Sequence, residues 1–342
     1  MAAAPLRLRL DSAALVANWR TLDAMSGAAA CGAAVKADGY GLGAREVASR
    51  LAAAGCRDFF VSNWAEAADL DGLEAPVSVL HGVRAEDMAA PRPANARPVL
   101  NTPEQVLRWR ETGGAPCDVM VDTGMNRLGL SVQDVADGLL EGLTIETLMS
   151  HLACADEDVP MNARQRDALA GLAGRTSARR LSVANSAGIA LGASYGFDLT
   201  RPGLALYGGI PVPGLHAIRQ VAAPEAQILQ RRRVPAGGTI GYNATFMADA
   251  DTEVAVINLG YADGYLRCME TLGVARADGV GLPLLGRVSM DLIAVGVDAA
   301  PHLREGDWIA LDYALPIAAA VTGRSQYELL TGLGCRFDRI WG

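Results

Sequence analysis

The sequence predicts an α/β fold, a (β/α)8 barrel followed by a smaller, mostly β domain. Three observations carry this expectation. From residue 33 to about residue 209, short apolar runs alternate with helix-like stretches, the mark of parallel βαβ units. There are eight such runs, at residues 33–35, 59–62, 77–80, 98–100, 119–122, 148–151, 181–184 and 199–201, and eight parallel strands close a barrel. Beyond the Pro- and Gly-rich segment 208–214 the helical periodicity stops. The barrel is therefore expected over residues 11–215, and the β domain over residues 216–342 together with a strand inside residues 1–10. The barrel span is on the short side of the usual ~200–250 residues. A doubly wound open sheet is the alternative, but it wants a GxGxxG turn after an early strand, and the chain has none.

Taken in order, the first stretch alternates leucine and arginine from Leu6 to Leu10 like a strand. It lacks the basic start and apolar core of a signal peptide. Helices are expected at residues 44–54, 64–73, 84–90, 103–112, 132–140, 162–172 and 186–193. The one at 103 has the clearest start, with Thr102 as N-cap and Pro103 in the first turn. After the boundary, residues 225–234, 252–258, 281–287, 292–297 and 307–311 are alternating or β-rich and punctuated by Gly and Pro.

Composition bounds the function. The 342 residues are 51% hydrophobic and 20% charged, a globular balance, and the formal net charge of −8 argues against nucleic acid or an anionic membrane as partner. Only Arg231, Arg232 and Arg233 form a contiguous basic run, which reads as a solvated turn. No run approaches the ~18 apolar residues of a membrane helix. The six cysteines lack CxxC pairing and read as reduced, mostly buried thiols of a cytoplasmic protein. The four histidines have no metal-ligand spacing, so no metal is expected.

In a barrel, chemistry gathers at the C-terminal ends of the strands. Polar residues stand at those ends here: Lys36 after the first run, Asp122 to Arg127 after the fifth, Ser150 and His151 after the sixth, Asn185 and Ser186 after the seventh, and Arg201 to Gly203 after the eighth. Each alone is explained as a cap or turn residue; five groups on one rim are a candidate site. Lys36 stands out, because a lysine at a strand end is a candidate amine nucleophile for a carbonyl.

These segments carry a resemblance. Ala34-Val35-Lys36-Ala37-Asp38-Gly39-Tyr40-Gly41, Asp122-Thr123-Gly124-Met125-Asn126-Arg127-Leu128-Gly129, Ser150-His151-Leu152-Ala153, Ala184-Asn185-Ser186-Ala187 and Arg201-Pro202-Gly203-Leu204 occur in order. They are followed by Gly260-Tyr261-Ala262-Asp263-Gly264-Tyr265 and Gly286-Arg287-Val288-Ser289-Met290-Asp291. The chain resembles the alanine racemases, pyridoxal-phosphate enzymes with a barrel followed by a β domain, from Lys36 to Arg339. The resemblance implies interconversion of L- and D-alanine by two bases, supplying or consuming D-alanine. Lys36 would hold the cofactor, pyridoxal 5'-phosphate, and act on one face of the substrate's Cα, and Tyr242 would act on the other. A phenol, with a pKa of about 10, is a poor base at neutral pH, and His151 is the neighbour the resemblance offers it. Arg201 would contact the pyridine nitrogen and keep it unprotonated, which weakens the electron sink and disfavours side reactions. Ser186, the backbone of Gly203, Tyr40 and Tyr327 would hold the phosphate. Arg127 and the Met290 amide would receive the substrate carboxylate, with Tyr261 and Asp291 shaping the approach. The family shares its sites between subunits, which implies a homodimer with Tyr242, Tyr261, Met290 and Asp291 acting in trans.

Three positions depart from the family pattern. Leu42 stands where a histidine is common, Ser289 where a cysteine is common, and Met120 where a lysine, often carbamylated, orients the carboxylate-binding arginine. The alternatives are a racemase of serine or of a wider range of amino acids, a non-catalytic pyridoxal-phosphate-binding protein, and a decarboxylase on the same architecture. Tyr242 and the motif from Gly260 to Tyr265 argue against the second, and the decarboxylase motifs are not visible.

Overall fold

The computed structural model describes residues 4–272 and 274–342. It divides into two compact units. One is Leu15–Arg219, and the other joins the N-terminal residues up to Ala14 to Gln220–Gly342.

The first unit is a parallel β ring wrapped by helices. Its main sheet runs in chain order through Ala33–Ala34, Phe59–Val61, Val77–Val79, Ala96–Leu100, Cys117–Met120, Ile145–Met149 and Arg180–Ser182. Every neighbouring pair is parallel, for example Phe59 against Val77 and Thr147 against Arg180. The eighth strand, Leu199–Thr200, pairs in parallel with Ala30–Cys31 on the first strand's leading half. Hydrogen bonds from Asp198 N to Leu181 O (3.1 Å) and from Arg201 N to Ala184 O (2.8 Å) join it to the seventh strand. The result is the (β/α)8 barrel. These strands read as unbroken apolar runs because both of their faces are covered: Phe59, Val61, Val77, Val79 and Val119 are all buried. The first strand is interrupted at Gly32, where a Cβ would lie 2.9 Å from both Asp58 O and the Phe60 ring. Only glycine lets the strands approach so closely there.

Helices follow most strands, several shorter than the sequence pattern suggests. Ala44–Ala54 occupies its expected span. Trp64–Ala68 and Val132–Ala136 are single turns closed early by local turns. In Pro103–Arg110 the Thr102 hydroxyl accepts the Gln105 N–H, as its N-cap role requires. The helix Ser12–Ser26 has no clear apolar period in the sequence; it buries Leu15, Trp19 and Leu22.

In the second unit the thirteen-residue strand Ala222–Val234 is the spine. Leu6–Leu10 pairs with it antiparallel and with Asp338–Trp341 in parallel. Trp308–Leu311 and Thr252–Ile257 also pair with the spine, and Ile293–Gly296 adds to the latter. Two helices, Leu315–Thr322 and Gln326–Thr331, interrupt this β unit where the sequence pattern suggested none. The first is apolar nearly all round, so it presents no helical period to read.

Candidate active site

Lys36 follows directly on the strand Ala33–Ala34 and Val35. The backbone then turns left-handed: Ala37, Asp38, Gly39 and Tyr40 have φ of 52°, 52°, 61° and 56°. Three of these are not glycine, and L-residues disfavour such a turn by ~1–2 kcal/mol each. The surroundings hold it in place. Asp38 Oδ1 accepts the Ala44 N–H at 2.8 Å, and Gly39 N donates to Val35 O at 2.8 Å. Glu66 accepts Ala37 N at 3.0 Å with one oxygen and Ser62 N at 2.7 Å with the other, tying the first two strand ends together. The Tyr40 ring stacks on Tyr207, 4.6 Å between centroids, and Tyr207 donates to Ala34 O. Strain of this kind persists where the fold over-determines it, and it aims one side chain. Burial, then the nearby Arg127 charge, lowers the Lys36 ammonium from its ordinary pKa, with Glu66 opposing. A lowered amine pKa is what a nucleophile or base needs near neutral pH.

Arg201 follows the eighth strand and is buried. It donates to the Ser182 hydroxyl and, at 2.6 Å, to the Ser150 carbonyl. Among the described residues it makes no ion pair. Burial pushes the guanidinium down to about 10, and distant Asp118 opposes this, so it remains charged at neutral pH. His151 lies next to Ser150 and is half-buried. Burial, followed by the charges of Arg201, Arg127 and Lys36, pushes its imidazole down to about 3. The four groups thus share one rim, and His151 is neutral at working pH. This has a consequence for stability in the cofactor-free chain. Below about pH 6.5 the unfolded imidazole binds a proton that the folded one refuses until about pH 3, so stability falls as pH drops through that window. His151→Gln removes this contribution. Calorimetry from about pH 7 to about pH 4 should show the variant gaining in Tm relative to the parent as pH falls; a constant difference contradicts it.

Arg127 sits in the loop after the strand Cys117–Met120 and is exposed, with no ion pair among the described residues. The loop itself is pinned. Asp122 Oδ1 accepts Gly124 N (2.8 Å) and Met125 N (2.9 Å), while Asp122 N donates to Leu130 O and Leu130 N to Met120 O. Met120 ends the strand and is buried, as is Leu42; neither supplies a polar group to the site.

A separate cradle lies where the seventh and eighth strands end. Ser186 opens the short helix Ser186–Ala190, capped by Asn185. Its Oγ accepts Gly203 N at 3.0 Å and Ala205 N at 3.2 Å, which leaves its own proton to donate. A Cβ on Gly203 would collide with the Tyr40 hydroxyl, so glycine is required for that approach. Tyr40, Ser186 and Gly203 therefore meet in one place.

The remaining predicted residues belong to the β unit. Gly260 approaches Met290 and Asp291 so closely that a Cβ would strike the Met290 carbonyl. Tyr261 N donates to Ser289 O (3.0 Å) and Ala262 N to Met290 O (3.0 Å). The loop bearing Tyr242 packs alongside, since a Cβ on Gly286 would meet Ile240 O at 2.7 Å. Tyr242, Tyr261, Met290 and Asp291 are thereby gathered on one corner, with Tyr242 63% and Met290 54% exposed. Tyr327 lies at the start of the helix Gln326–Thr331.

Three supporting residues carried no motif in the sequence. Glu66 ties the first two strand ends together, and Gln165 bonds to Thr123 and to the His151 carbonyl. The third, Arg336, bridges the corner: its Nε donates to buried Asp263 at 2.6 Å and its Nη1 to Asp291 at 2.7 Å. The only signal for Glu66 was its place in the first turn of a helix; Arg336 had none. Arg336→Met should destabilise the chain by ~1–3 kcal/mol, because Asp263 keeps a buried charge while solvent screens the Arg336 side. Urea unfolding measures it, and a loss within experimental error would contradict the bridge.

Barrel first and β unit second, with an amine and guanidinium rim on the barrel, is the architecture of a class of two-domain amino-acid-transforming enzymes. Two family models divide the chain in the same order: alanine racemase, N-terminal domain, matches residues 10–211, and alanine racemase, C-terminal domain, matches residues 221–341. The chain belongs to the alanine racemase family. It is 41% identical over 349 residues to the alanine racemase of Acidiphilium cryptum (strain JF-5), covering 97% of this chain and 98% of that one. Among solved structures it is similar to the alanine racemase of Bartonella henselae with covalently bound pyridoxal phosphate, at 34% identity and TM-score 0.86, covering 99% of this chain and 100% of that one. It is also similar to the biosynthetic alanine racemase of Pseudomonas aeruginosa, at 30% identity and TM-score 0.85, covering 99% of each.

Proposed function

We propose that this chain is a pyridoxal-phosphate-dependent alanine racemase, interconverting L- and D-alanine with Lys36 and Tyr242 as its two bases. The observation that carries the reading is the convergence of Lys36, Arg127, His151 and Arg201 at one barrel rim, with neither arginine in an ion pair among the described residues. Uncompensated cations beside an anion cradle fit a phosphorylated cofactor and a substrate carboxylate. The cradle passes a stricter test: Ser186 keeps a free proton to donate, and Gly203 admits the Tyr40 hydroxyl where any side chain would block it. When bound, the cofactor supplies a carbonyl for an amine to join and a ring that delocalises charge from the substrate's Cα.

The chain's own residues do the rest. The Lys36 amine, with its lowered pKa, would hold the cofactor at its carbonyl and would take or return the Cα proton on one face. The Tyr242 hydroxyl serves the other face. Arg201 keeps its charge and two hydrogen bonds, so it would donate to a ring nitrogen without giving up a proton. Ser186, Tyr40 and the Gly203 loop take the phosphate on this reading, with Tyr327 as a further donor. Arg127 and the Met290 N–H receive the carboxylate, and Tyr261 and Asp291 border it. The exposed Tyr242, Met247, Met290 and Leu292 fit a surface covered by a second subunit, in keeping with a homodimer of shared sites. The six free cysteines suit a reducing cytoplasm.

The test is chiral analysis of alanine incubated with cofactor and enzyme; absence of the opposite enantiomer overturns the reading. A racemase of wider range is the second reading, favoured by Met120 leaving Arg127 without a charged partner. A panel of small amino acids including serine separates the two.

A further inference from the structure

The side chain of Arg127 has no ion pair and no hydrogen bond among the described residues, and the strand beneath it ends in Met120. Its position must therefore be set through the backbone of its loop. Two side chains hydrogen-bond to that loop from outside, both at Thr123: Ser150, at the end of the neighbouring strand, and Gln165. Gln165, on the helix Pro160–Ala170, is fully buried and uses both ends of its amide. Its Oε1 accepts Ala153 N at 2.8 Å. Its Nε2 donates to His151 O at 2.9 Å and to Thr123 Oγ1 at 3.4 Å. Thr123 Oγ1 and Ser150 Oγ share a further hydrogen bond of 2.7 Å, and the Ser150 carbonyl receives Arg201. The chain of contacts is continuous: Arg201 to Ser150, Ser150 to Thr123, Thr123 to Gln165, and Gln165 to His151.

We propose that Gln165 is a positioning residue that locks the Arg127 loop to the His151 strand end, so that one buried amide sets the carboxylate-binding arginine in place of a charged partner. The chemistry supports the assignment. Both donors of the Gln165 amide go to site segments. Buried amides hold such geometry firmly, because a lost partner leaves a desolvated polar group behind. Asn162, on the same helix, provides the contrast. It is equally buried but serves Cys154 O (2.9 Å) and Glu157 O (2.8 Å), away from Thr123.

The inference rests on the racemase reading, and its test keeps the two apart. Gln165→Met keeps the length of the side chain and removes its hydrogen bonds; Thr123→Val removes the hydroxyl alone. Both are compared, as holoenzymes, with Asn162→Leu, which removes buried hydrogen bonds from the same helix without touching the lock. Gln165→Met should raise KM for alanine and the inhibition constant of propionate, a carboxylate without the amine, by about tenfold, more than it lowers kcat. Thr123→Val should move both in the same direction. Amide hydrogen exchange over residues 121–130 should speed up in both variants, and Asn162→Leu should leave KM and that exchange unchanged at a similar loss of Tm. Unchanged KM and propionate inhibition in Gln165→Met overturn the inference, as does an equal rise in KM in Asn162→Leu. A parent enzyme that racemises nothing overturns the function instead, and the exchange measurement still decides whether Gln165 pins the loop.

Discussion

Lys36→Ala is expected to lower kcat for alanine racemisation by about four orders of magnitude or more, because in the function proposed above one amine both holds the cofactor and moves a proton. The loss should be chemical and not structural. The left-handed turn beyond Lys36 is held by Asp38, Glu66 and backbone hydrogen bonds, none of which uses the lysine side chain. Truncation also removes a partly buried cation whose charged form burial already disfavours. The change in stability should therefore stay within about 1 kcal/mol, as for substitutions away from packing and networks. Two measurements check this together: racemisation by chiral chromatography, and the unfolding midpoint in urea. Methylamine, which supplies a small amine in place of the missing one, should restore part of the rate, rising with its concentration. Retention of more than about 1% of parental activity would remove Lys36 from the chemistry.

The parts of the molecule legible in the sequence are those where burial acts on short stretches. Barrel strands such as Phe59–Val61 and Val77–Val79 are covered on both faces, so each reads as an apolar run between turns. Rim residues read as polar groups just after those runs, which located Lys36, His151, Ser186 and Arg201. What was not legible depends on long-range placement. Nothing local foretells that Ala37, Asp38 and Tyr40 turn left-handed, since that conformation is imposed by Glu66 from the helix after the next strand and by Tyr207 from beyond the last strand. Gln165 and Arg336 are ordinary polar residues in ordinary segments, and their roles appear only once the fold brings Thr123 and Asp263 to them. The helix Ser12–Ser26 is not legible because alanines and polar residues dilute its period, although Leu15, Trp19 and Leu22 mark its buried face. The thiols were expected to be mostly buried. Cys31, Cys56 and Cys117 are, and burial pushes each up to about 12, whereas Cys268 and Cys335 are exposed.

Tyr242→Phe carries the second large effect, and it separates the two bases. Phenylalanine keeps the ring and deletes only the hydroxyl. At an exposed corner held by Gly241, Gly286 and Arg287, the fold should tolerate this without measurable cost. Racemisation should fall by about 10²–10⁴-fold, the usual contribution of a positioned acid or base. A single remaining base still acts on one face. In deuterium oxide the variant should therefore exchange the Cα proton of one alanine enantiomer without inverting it, while the other stays inert. Exchange of both enantiomers, or undiminished racemisation, would take the second base away from Tyr242. The same two variants test whether the sites are shared. If Tyr242 acts in trans, a mixed dimer of Lys36→Ala and Tyr242→Phe chains pairs the intact lysine of one with the intact tyrosine of the other at one of its two sites. Random mixing makes half the dimers mixed, so two inactive preparations, unfolded and refolded together, should recover about a quarter of the parental activity. If each chain supplies both bases to its own site, every site in the mixture lacks one of them, and the mixture stays as inactive as its parts.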